Sequence, residues 1–362
     1  MKIVVTGTRG IPNILGGIET HCEELYPRIA AKGYDITIVR RQNYTHDELK
    51  EYKGVKLYDI QAPQAKSLEA IVHTLKAVHA AKFKLKADIL HIHAIGPGLA
   101  IPYAKLLGLK VISTHHGPDY DRDKWGKLAK FMLRLGERIS VKLADELIVI
   151  SNVINDSIKA KYGRNNAHII YNGVSQPAFP EDPDYLQSLG ITSRKYVFAM
   201  GRFVPEKNFH RLIQAFADVK DKKGYQLVIA GDANFEDTYS SELKKLAWKN
   251  NVVLTGFVKG AKLHTLINNA SVFVLPSSHE GLPISLLEAM NYDLPAIVSD
   301  IPANKEVGLP EDNYFKVNDE NDLTGKLQKH IDTGYKRILY DMNKYSWDQI
   351  AEQTIEVYKI EK

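Results

Sequence analysis

Short apolar runs alternate with longer segments of helical periodicity along the whole chain. The apolar runs are rich in Val and Ile, which is typical of strands that are buried on both faces of a sheet. Because helix-length segments separate these runs, the pattern predicts βαβ units and therefore parallel sheets with helices on both faces. In the first half of the chain the predicted strands are Lys2–Thr8, Tyr34–Arg41, Val55–Gln61, Asp88–Ala94, Val111–His115, Leu147–Ser151 and His168–Tyr171. In the second half they are Tyr196–Gly201, Gln226–Gly231, Val252–Gly256, Val272–Pro276, Ala296–Ser299 and a short one at Tyr314–Val317.

A polar stretch near the middle of the chain carries three prolines between residues 177 and 183. Proline cannot continue a helix or a central strand, so this stretch predicts an interdomain linker. The class is α/β, and each half is a Rossmann-like unit. The predicted parts are residues 1–178, residues 184–344 and an amphipathic C-terminal helix within 345–362 that has Ser346 as its N-cap. The expected ligand site is a cleft between the carboxyl edges of the two sheets.

Length and composition limit the class of protein. The 362 residues are too many for one ordinary core and fit two domains. No apolar run approaches the roughly 18 residues of a membrane span, and Met1 leads into a predicted strand rather than a signal peptide. The single cysteine, Cys22, excludes an internal disulfide and a cysteine-based metal site. These features predict a cytoplasmic protein in which Cys22 is a small core residue on a helix.

The net charge of +5 conceals an asymmetry between the halves. Residues 1–180 hold 26 Lys+Arg and 17 Asp+Glu, whereas residues 181–362 hold 22 and 26. A basic first half indicates an anionic partner. Nucleic acid is disfavoured because the chain has no nucleic-acid motif and no interleaving of basic and aromatic residues. An anionic membrane surface or a phosphorylated acceptor fits the charge better.

The most informative motif follows the predicted strand at Val272–Pro276. It reads Ser-His-Glu-Gly-Leu-Pro and opens a helix, with Glu280 in the loop and Glu288 within the helix. Backbone N–H groups at the start of such a helix bind a diphosphate well. A carboxylate one turn further along can accept hydrogen bonds from sugar hydroxyls. The alternative is a capped helix that carries two solvated glutamates.

A second motif, Gly-Arg-Phe-Val-Pro-Glu-Lys-Asn, starts at Gly201 and leads into a predicted helix at Phe209–Phe216. Arg202 and Lys207 stand five residues apart on this loop and can converge on a diphosphate. Arginine can bind two phosphate oxygens at once, and lysine supplies a compact charge. The alternative is a solvated basic turn.

Together the two motifs resemble the E-x7-E and G-R-x-x-x-E-K-N patterns of family 4 retaining glycosyltransferases, which have the GT-B fold. The resemblance covers nearly the whole chain. It implies two Rossmann-like domains that face each other across a cleft, with the C-terminal helix crossing back onto the first domain. It also implies a nucleotide-diphosphate sugar as donor, bound without a metal ion or other cofactor.

The resemblance assigns a role to each donor-side position. The diphosphate would be held by Arg202, Lys207 and the helix start at Gly281, Leu282, Pro283 and Ile284. The ribose would be held by Glu288, the donor sugar by Glu280, and the base by the main chain near Phe257 and Val258. A packing role is the alternative for Phe257.

The loop after the first predicted strand reads Gly-Thr-Arg-Gly-Ile-Pro and continues to Gly16 and Gly17 before a helix that starts at about Glu19. It lacks the G-x-G-x-x-G pattern, which disfavours a nicotinamide enzyme. The glycine pair permits close backbone approach to a ligand. This loop resembles that of a bacterial surface-polysaccharide subgroup that includes rhamnosyltransferases, in which the glycine pair contacts the donor. A plain βα turn is the alternative.

Four histidines lie within predicted strands or directly after them. His115 and His116 precede Gly117, and by resemblance His116 faces the transferred sugar, with His115 as the second choice. An ordinary structural histidine is equally compatible with this position. His91 and His93 share one face of a strand because side chains repeat with period two. A metal site there lacks a third ligand at sensible spacing.

The segment Lys124–Ser140 predicts a basic amphipathic helix that can lie on an anionic membrane. An ordinary surface helix is the alternative. Arg122 and Lys124 are candidates for binding the acceptor, together with His115. Asp121 and Asp123 formally match D-x-D, but no metal-site strand pattern precedes them.

These observations predict a retaining, metal-independent glycosyltransferase whose catalytic residues are Arg202, Lys207, Glu280 and His116. Its acceptor would be a lipid-linked or cell-surface oligosaccharide, and its place the cytoplasm or the inner face of the cytoplasmic membrane. Two alternatives remain open. One is an epimerase or hydrolase of sugar nucleotides, and the other is a sugar-nucleotide-binding protein without catalysis.

Overall fold

The computed structural model describes residues 1–45, 47–63, 69–121, 125–176, 180–233 and 236–360. The chain divides into two units. Unit 1 comprises Met1–Gly173 and Lys344–Lys362, and unit 2 comprises Val174–Asn343.

Unit 1 is built on an eight-stranded sheet in the order β3-β4-β2-β1-β5-β6-β7-β8. Its strands are β1 (Lys2–Thr6), β2 (Asp35–Arg41), β3 (Glu51–Tyr52), β4 (Val55–Ile60), β5 (Ile89–His93), β6 (Lys110–His115), β7 (Glu146–Val149) and β8 (His168–Ile169). All neighbours pair in parallel except β3, which pairs antiparallel with β4. The near-continuous burial of the central strands follows from helices on both faces of the sheet.

The helices of unit 1 are α1 (Gly17–Ala31), α2 (Glu69–Phe83), α3 (Ile101–Leu106), α4 (Lys127–Leu143), α5 (Asn152–Tyr162) and the last helix of the chain, Trp347–Lys359. This last helix packs against α1. Trp347, Ile350 and Tyr358 share a buried core with Cys22 and Leu25 of α1. Apolar residues at helical spacing on its inner face explain the docking.

Unit 2 has six parallel strands in the order β11-β10-β9-β12-β13-β14. They are β9 (Tyr196–Met200), β10 (Gln226–Ala230), β11 (Val253–Gly256), β12 (Val272–Leu275), β13 (Ala296–Ser299) and β14 (Tyr314–Phe315). The helices are α6 (Pro183–Ser188), α7 (Phe209–Ala217), α8 (Thr238–Lys249), α9 (Gly260–Asn269), α10 (Ile284–Asn291), α11 (Pro302–Lys305) and α12 (Glu320–Thr333). The helix of unit 1 at Trp347–Lys359 is therefore α13.

The expectation of two Rossmann-like parallel sheets is confirmed, and a strand lies at each predicted position. The structure confirms Ser346 at the N-cap position of α13 and differs from the sequence expectation in two local details. The strand β3 was not predicted, and α1 begins at Gly17 rather than near Glu19. The side chain of Ser346 makes no capping hydrogen bond.

Among the described residues, no helix is both long enough and apolar enough to cross a membrane.

Candidate functional site

The centre of the unit 2 sheet is its topological switch point. β9 pairs with β10 on one side and with β12 on the other, so the connections that leave β9 and β12 run to opposite faces of the sheet. Ligands of open α/β sheets bind in the crevice outside the carboxyl ends of such strands. The two motif loops, residues 201–208 and 276–283, are the loops that leave β9 and β12.

Several hydrogen bonds join these two loops, one of them from the hydroxyl of Ser278 to the carbonyl oxygen of Glu206 at 3.3 Å. The backbone N–H of Ser278 donates to the carbonyl oxygen of Glu206 at 2.9 Å. The side-chain amide of Asn208 donates to the carbonyl oxygen of Pro276 at 3.1 Å. The ammonium group of Lys207 donates to Glu280 Oε1 at 2.5 Å. Two motifs that lie more than 70 residues apart in sequence therefore form one surface.

The pair Lys207–Glu280 is largely sheltered, since the two side chains are 17% and 12% exposed. In such a setting a lysine and a carboxylate attract one another more strongly than at an open surface. Arg202 lies on the same loop and is partly buried. The loop thus places two cationic side chains at the carboxyl end of β9.

The loop keeps this shape because the neighbouring strand end comes very close. Gly231 follows β10 with φ +135°, and a Cβ there would lie 1.9 Å from the carbonyl oxygen of Gly201. Only glycine fits at this position. The N–H of Gly201 in turn donates to the carbonyl oxygen of Ala230 at 3.0 Å.

Helix α10 starts within the second motif. Leu282 and Pro283 are buried, and no side chain caps the first turn that begins at Ile284. The start of α10 therefore presents backbone N–H groups and the positive end of its dipole. Glu288 lies one turn further along and is partly buried. Gly281 precedes this start and is also partly buried.

Phe257 and Val258 follow β11, which β10 and β9 separate from β12 in the sheet. Phe257 is 42% exposed, so its ring is not a core residue. The packing alternative for Phe257 is therefore disfavoured. The N–H of Gly231 donates to the carbonyl oxygen of Gly256 at 2.8 Å, which joins the end of β11 to the end of β10.

In unit 1 the loop after β1 is held by one ion pair. The guanidinium of Arg9 donates to both carboxylate oxygens of Glu19, at 3.0 and 2.8 Å. Gly16 has φ +151°, and a Cβ there would lie 2.1 Å from Glu19 Oε2. Gly17 begins α1 with open space around it. Gly16 is thus required by the fold of the loop, whereas Gly17 leaves room beside the start of the helix.

The adjacent histidines of unit 1 have different surroundings. The Nε2 of His115 bonds to Glu137 at 2.9 Å, and its Nδ1 accepts the N–H of Gly117 at 3.1 Å. Burial alone raises the pKa of Glu137, but hydrogen bonds from His115 and Tyr162 hold that pKa below its ordinary value. Both nitrogens of His115 are therefore engaged in structural contacts. His116 is the more exposed of the two.

His116 belongs to a cluster that the sequence analysis did not find. Its Nε2 lies 2.8 Å from Nδ1 of His93, and its ring packs edge-on against His21 with 5.0 Å between centroids. Burial lowers the pKa of His21 to about 4 and lowers the pKa values of His93 and His116 well below their usual range. His21 stands on α1, so no spacing pattern along the chain linked it to the strand-end histidines.

Two predicted acceptor-side residues, Arg122 and Lys124, lie outside the described residues, as does Asp123 of the D-x-D match.

Two family models match the chain in succession. Residues 15–176 match glycosyltransferase family 4, and residues 182–355 match glycosyl transferases group 1. An uncharacterized glycosyltransferase of Methanocaldococcus jannaschii is 25% identical, over 99% of this chain and 98% of its own length. A UDP-Gal:α-D-GlcNAc-diphosphoundecaprenol α-1,3-galactosyltransferase of Escherichia coli is 24% identical, over 100% of this chain and 95% of its own.

Solved structures resemble the whole chain as well. Sucrose-phosphate synthase from Thermosynechococcus elongatus has a TM-score of 0.84 at 18% identity, covering 99% of this chain and 98% of that one. Anabaena HepE in complex with UDP and glucose has a TM-score of 0.77 at 17% identity, covering 99% of each chain. At these identities the likeness establishes the fold alone.

Proposed function

Because the protein is a glycosyltransferase with the GT-B fold, we propose that it transfers a sugar from a nucleotide-diphosphate donor to a lipid-linked or cell-surface oligosaccharide acceptor. The observation that carries the donor assignment is the contact between Lys207 and Glu280 at the switch point of unit 2. It joins the predicted phosphate loop to the predicted sugar-binding loop.

The diphosphate is bound by Arg202, Lys207 and the N–H groups at the start of α10. A phosphate oxygen beside Lys207 competes with Glu280 for the ammonium group, because one cation then faces two anions. Donor binding thereby releases Glu280 to accept hydrogen bonds from hydroxyls of the donor sugar. Glu288 holds the ribose, and the main chain at Phe257–Val258 contacts the base.

Catalysis follows from the charge that develops on the leaving group. As the bond between the anomeric carbon and the phosphate oxygen breaks, negative charge grows on the nucleotide diphosphate. Fixed cations and the α10 dipole stabilise that charge more in the transition state than in the ground state. These groups supply the positive charge that a divalent metal ion would supply in a metal-dependent enzyme. We therefore propose that the transfer needs no metal ion.

The stereochemical proposal is retention. The acceptor oxygen forms its bond to the anomeric carbon on the face that the diphosphate leaves, and the departing phosphate oxygen takes the acceptor proton. A double displacement would need a carboxylate nucleophile within reach of the anomeric carbon. We assign Glu280 to sugar hydroxyls instead. Contact of Gly16, Gly17 and His116 with the transferred sugar stays a prediction.

The acceptor proposal draws on the relative from Escherichia coli, whose name gives a diphosphoundecaprenol-linked sugar as its substrate. The subgroup resemblance of the Gly-Thr-Arg-Gly-Ile-Pro loop points the same way, towards surface-polysaccharide assembly. Peripheral contact with an anionic membrane is part of this proposal, since a polyprenyl-linked acceptor is embedded in a bilayer.

The donor half is tested with a thermal-shift panel of UDP, GDP, ADP and dTDP and their sugars, with and without EDTA. Ligand at ten times its Kd stabilises the folded state by about 1.4 kcal/mol. We expect one nucleotide to shift the wild type in the presence of EDTA and to lose most of that shift in Lys207→Ala. The matched control is Lys220→Ala, an exposed lysine of the same unit.

Three results contradict parts of the proposal. The absence of a shift with every nucleotide removes the donor assignment. A shift that EDTA abolishes removes the metal-free clamp. Release of free sugar from the donor at the same rate with and without acceptor favours the hydrolase alternative.

A further inference from the structure

The histidine cluster of unit 1 has the donor set of a metal site. His21, His93 and His116 each offer one ring nitrogen, and these three nitrogens all lie within 4.8 Å of one another. The three ring centroids are separated by 5.0 to 5.4 Å. Among the residues that the structure describes, no acidic side chain takes part in the cluster, so its ligands are imidazoles alone.

Rigid elements position the three rings. His93 ends β5 and His116 follows β6, and these strands pair in register with His93 opposite Thr114. His21 lies in the second turn of α1 and is buried. A site on strand ends and a helix keeps its geometry better than a site on loops.

Outer partners orient two of the rings. Nδ1 of His21 lies 2.9 Å from the carbonyl oxygen of the Asn172 side chain. Because that oxygen can only accept, Nδ1 carries the proton and Nε2 keeps its lone pair. On the other ring, Nε2 of His93 lies 2.5 Å from the hydroxyl of Tyr26. When Nε2 donates to this oxygen, Nδ1 of His93 keeps its lone pair.

The remaining hydrogen bonds allow this assignment. Nδ1 of His91 lies 2.8 Å from the hydroxyl of Tyr358 and 3.0 Å from that of Tyr26. When Tyr358 donates to this nitrogen, Tyr26 donates its one proton to the oxygen of Tyr358, with which it shares a hydrogen bond. Nε2 of His91 can then donate to Thr114 at 2.7 Å. Metal-binding histidines in proteins are usually oriented by such a second hydrogen bond on the opposite nitrogen.

The third ring then completes the site. Nδ1 of His93 accepts the proton on Nε2 of His116 at 2.8 Å. A metal ion can take the place of this proton, which moves to Nδ1 of His116, so no net proton is released. Metal–nitrogen bonds of about 2.0–2.1 Å require the two nitrogens to separate by about half an ångström. His116 is partly exposed, so an ion can reach the site from solvent.

We propose that His21, His93 and His116 bind one Zn²⁺ ion, with a water molecule in the fourth position. Three neutral imidazoles suit Zn²⁺, whereas Mg²⁺ and Ca²⁺ need oxygen ligands. The ion is not part of the transfer chemistry. In a second step that rests on the proposed function, Zn²⁺ occupies His116 and thereby inhibits transfer.

The first test is spectroscopic and needs no activity. Untagged, metal-free protein is titrated with Co²⁺, which replaces Zn²⁺ and shows visible d–d bands when its coordination is tetrahedral. We expect one Co²⁺ per chain, displaced by Zn²⁺ and not by Mg²⁺. His116→Gln and His21→Gln should weaken binding about tenfold or more. The matched control, His79→Gln, changes an exposed histidine of the same unit and should bind as the wild type does.

The second test separates the site from the proposed function. Zn²⁺ should inhibit transfer by the wild type, and EDTA should restore it. Absence of stoichiometric Co²⁺ binding overturns the site, as does wild-type affinity in both cluster variants when circular dichroism shows that they are folded. If no transfer is detected at all, the proposed function fails while the Co²⁺ titration still decides the site.

Discussion

Glu280 and Lys207 have different expected roles even though they contact one another. The carboxylate neutralises the lysine before the donor arrives, and it meets the sugar afterwards. Changing each residue alone should therefore affect nucleotide binding and turnover differently. This difference tests the exchange of partners rather than the mere presence of a charge pair.

Glu280→Gln removes the anion that competes with phosphate. We expect the nucleoside diphosphate to bind as tightly as in the wild type or more tightly, while turnover with the sugar donor falls by at least about tenfold, or 1.4 kcal/mol in transition-state stabilisation. Isothermal titration calorimetry and steady-state kinetics measure the two quantities. Lys207→Ala should instead weaken both.

Equal losses of diphosphate affinity in the two variants would contradict this assignment. That outcome would mean that Glu280 only orients Lys207. Glu288→Gln supplies a further comparison, because a ribose contact should weaken nucleotide binding with or without the sugar.

His73 of α2 provides a prediction on pH. It is fully buried, and its Nε2 donates to the carbonyl oxygen of Arg40 at 3.2 Å. Burial and the nearby charge of Arg41 lower its pKa to about 4. At pH values between about 4 and the unfolded pKa of about 6.5, the unfolded chain binds a proton at this histidine and the native protein does not. This histidine therefore makes the native state less stable as pH falls from about 6.5 to 4.

His73→Gln keeps a donor for Arg40 but cannot titrate. The free energy of unfolding should then depend less steeply on pH, by at most about 1.4 kcal/mol per pH unit within that window. Denaturant unfolding monitored in unit 1 at several pH values measures the slope. Leu75→Ala, at an exposed position of the same helix, should keep the wild-type slope. An unchanged slope in His73→Gln would show that this histidine titrates alike in both states.

At the residue scale, the sequence could identify residues that belong to a contiguous motif. Lys207 and Glu280 were each assigned from a motif, and parallel strand ends explain why their loops meet. His21 was not recognised, because its partners on β5 and β6 come from strands that only tertiary pairing brings beside α1. The sequence also did not show that His115 bonds to Glu137, because Glu137 lies on α4, which only the fold brings beside β6.

At the scale of elements, the end of β10 constrains the shape of the loop at residues 201–208. Gly231 and Gly224 both have positive φ, at +135° and +77°. A Cβ at Gly231 would meet the backbone of Gly201, whereas a Cβ at Gly224 would meet nothing within 4 Å. A side chain at Gly224 would therefore cause backbone strain alone, whereas one at Gly231 would also clash with Gly201.

Gly224→Ala should destabilise unit 2 by about 1 kcal/mol, the usual strain of a side chain at positive φ. Gly231→Ala should cost clearly more, because backbone has to move, and it should also abolish the thermal shift given by the nucleotide. Chemical denaturation and the thermal-shift assay measure both effects. Equal costs with an intact nucleotide response would show that the loop tolerates the displacement.

Most elements could be predicted because each strand is a short apolar run between helical segments. The exception, β3, consists of an exposed glutamate and a partly buried tyrosine, so it contains no apolar run. Its turn to β4 passes through Lys53 and Gly54, both with positive φ, as hairpin turns require. The N-cap of α13 was predicted from residue type alone. Whether Ser346 makes the capping bond depends on a side-chain rotamer that the sequence does not encode.

At the scale of the whole molecule, the two units share the arrangement of their central parallel strands. Each sheet has its first strand at the switch point, β1 beside β5 and β9 beside β12. In unit 1 the glycine-rich loop and His93 lie at the carboxyl ends of these strands. In unit 2 the motif loops at residues 201–208 and 276–283 lie at the corresponding ends. The order of motifs along the chain predicted this arrangement, because each motif directly follows a strand.

The charge asymmetry of the chain has a structural counterpart in α4. Leu128 and Phe131 are 76% and 61% exposed, and Lys127, Arg134 and Arg138 are exposed on the same helix. Apolar side chains flanked by cations are the surface that an anionic bilayer binds. Exposure of the apolar pair favours membrane contact over the ordinary surface helix, which would bury them.

Replacing Leu128 and Phe131 together by serine should reduce binding to anionic vesicles by about tenfold or more, since each apolar side chain contributes on the order of 1 kcal/mol when it enters the bilayer. Flotation with phosphatidylglycerol vesicles measures the bound fraction. Leu106→Ser is the matched control, because Leu106 is 84% exposed elsewhere in unit 1. Wild-type binding should also weaken with added salt, as screening removes the contribution of the lysine and arginines. Equal binding by the double variant and the wild type would show that Leu128 and Phe131 do not enter the bilayer. Absence of vesicle binding by the wild type would assign the basic charge of this half to a soluble anion, with the phosphorylated acceptor as the first candidate.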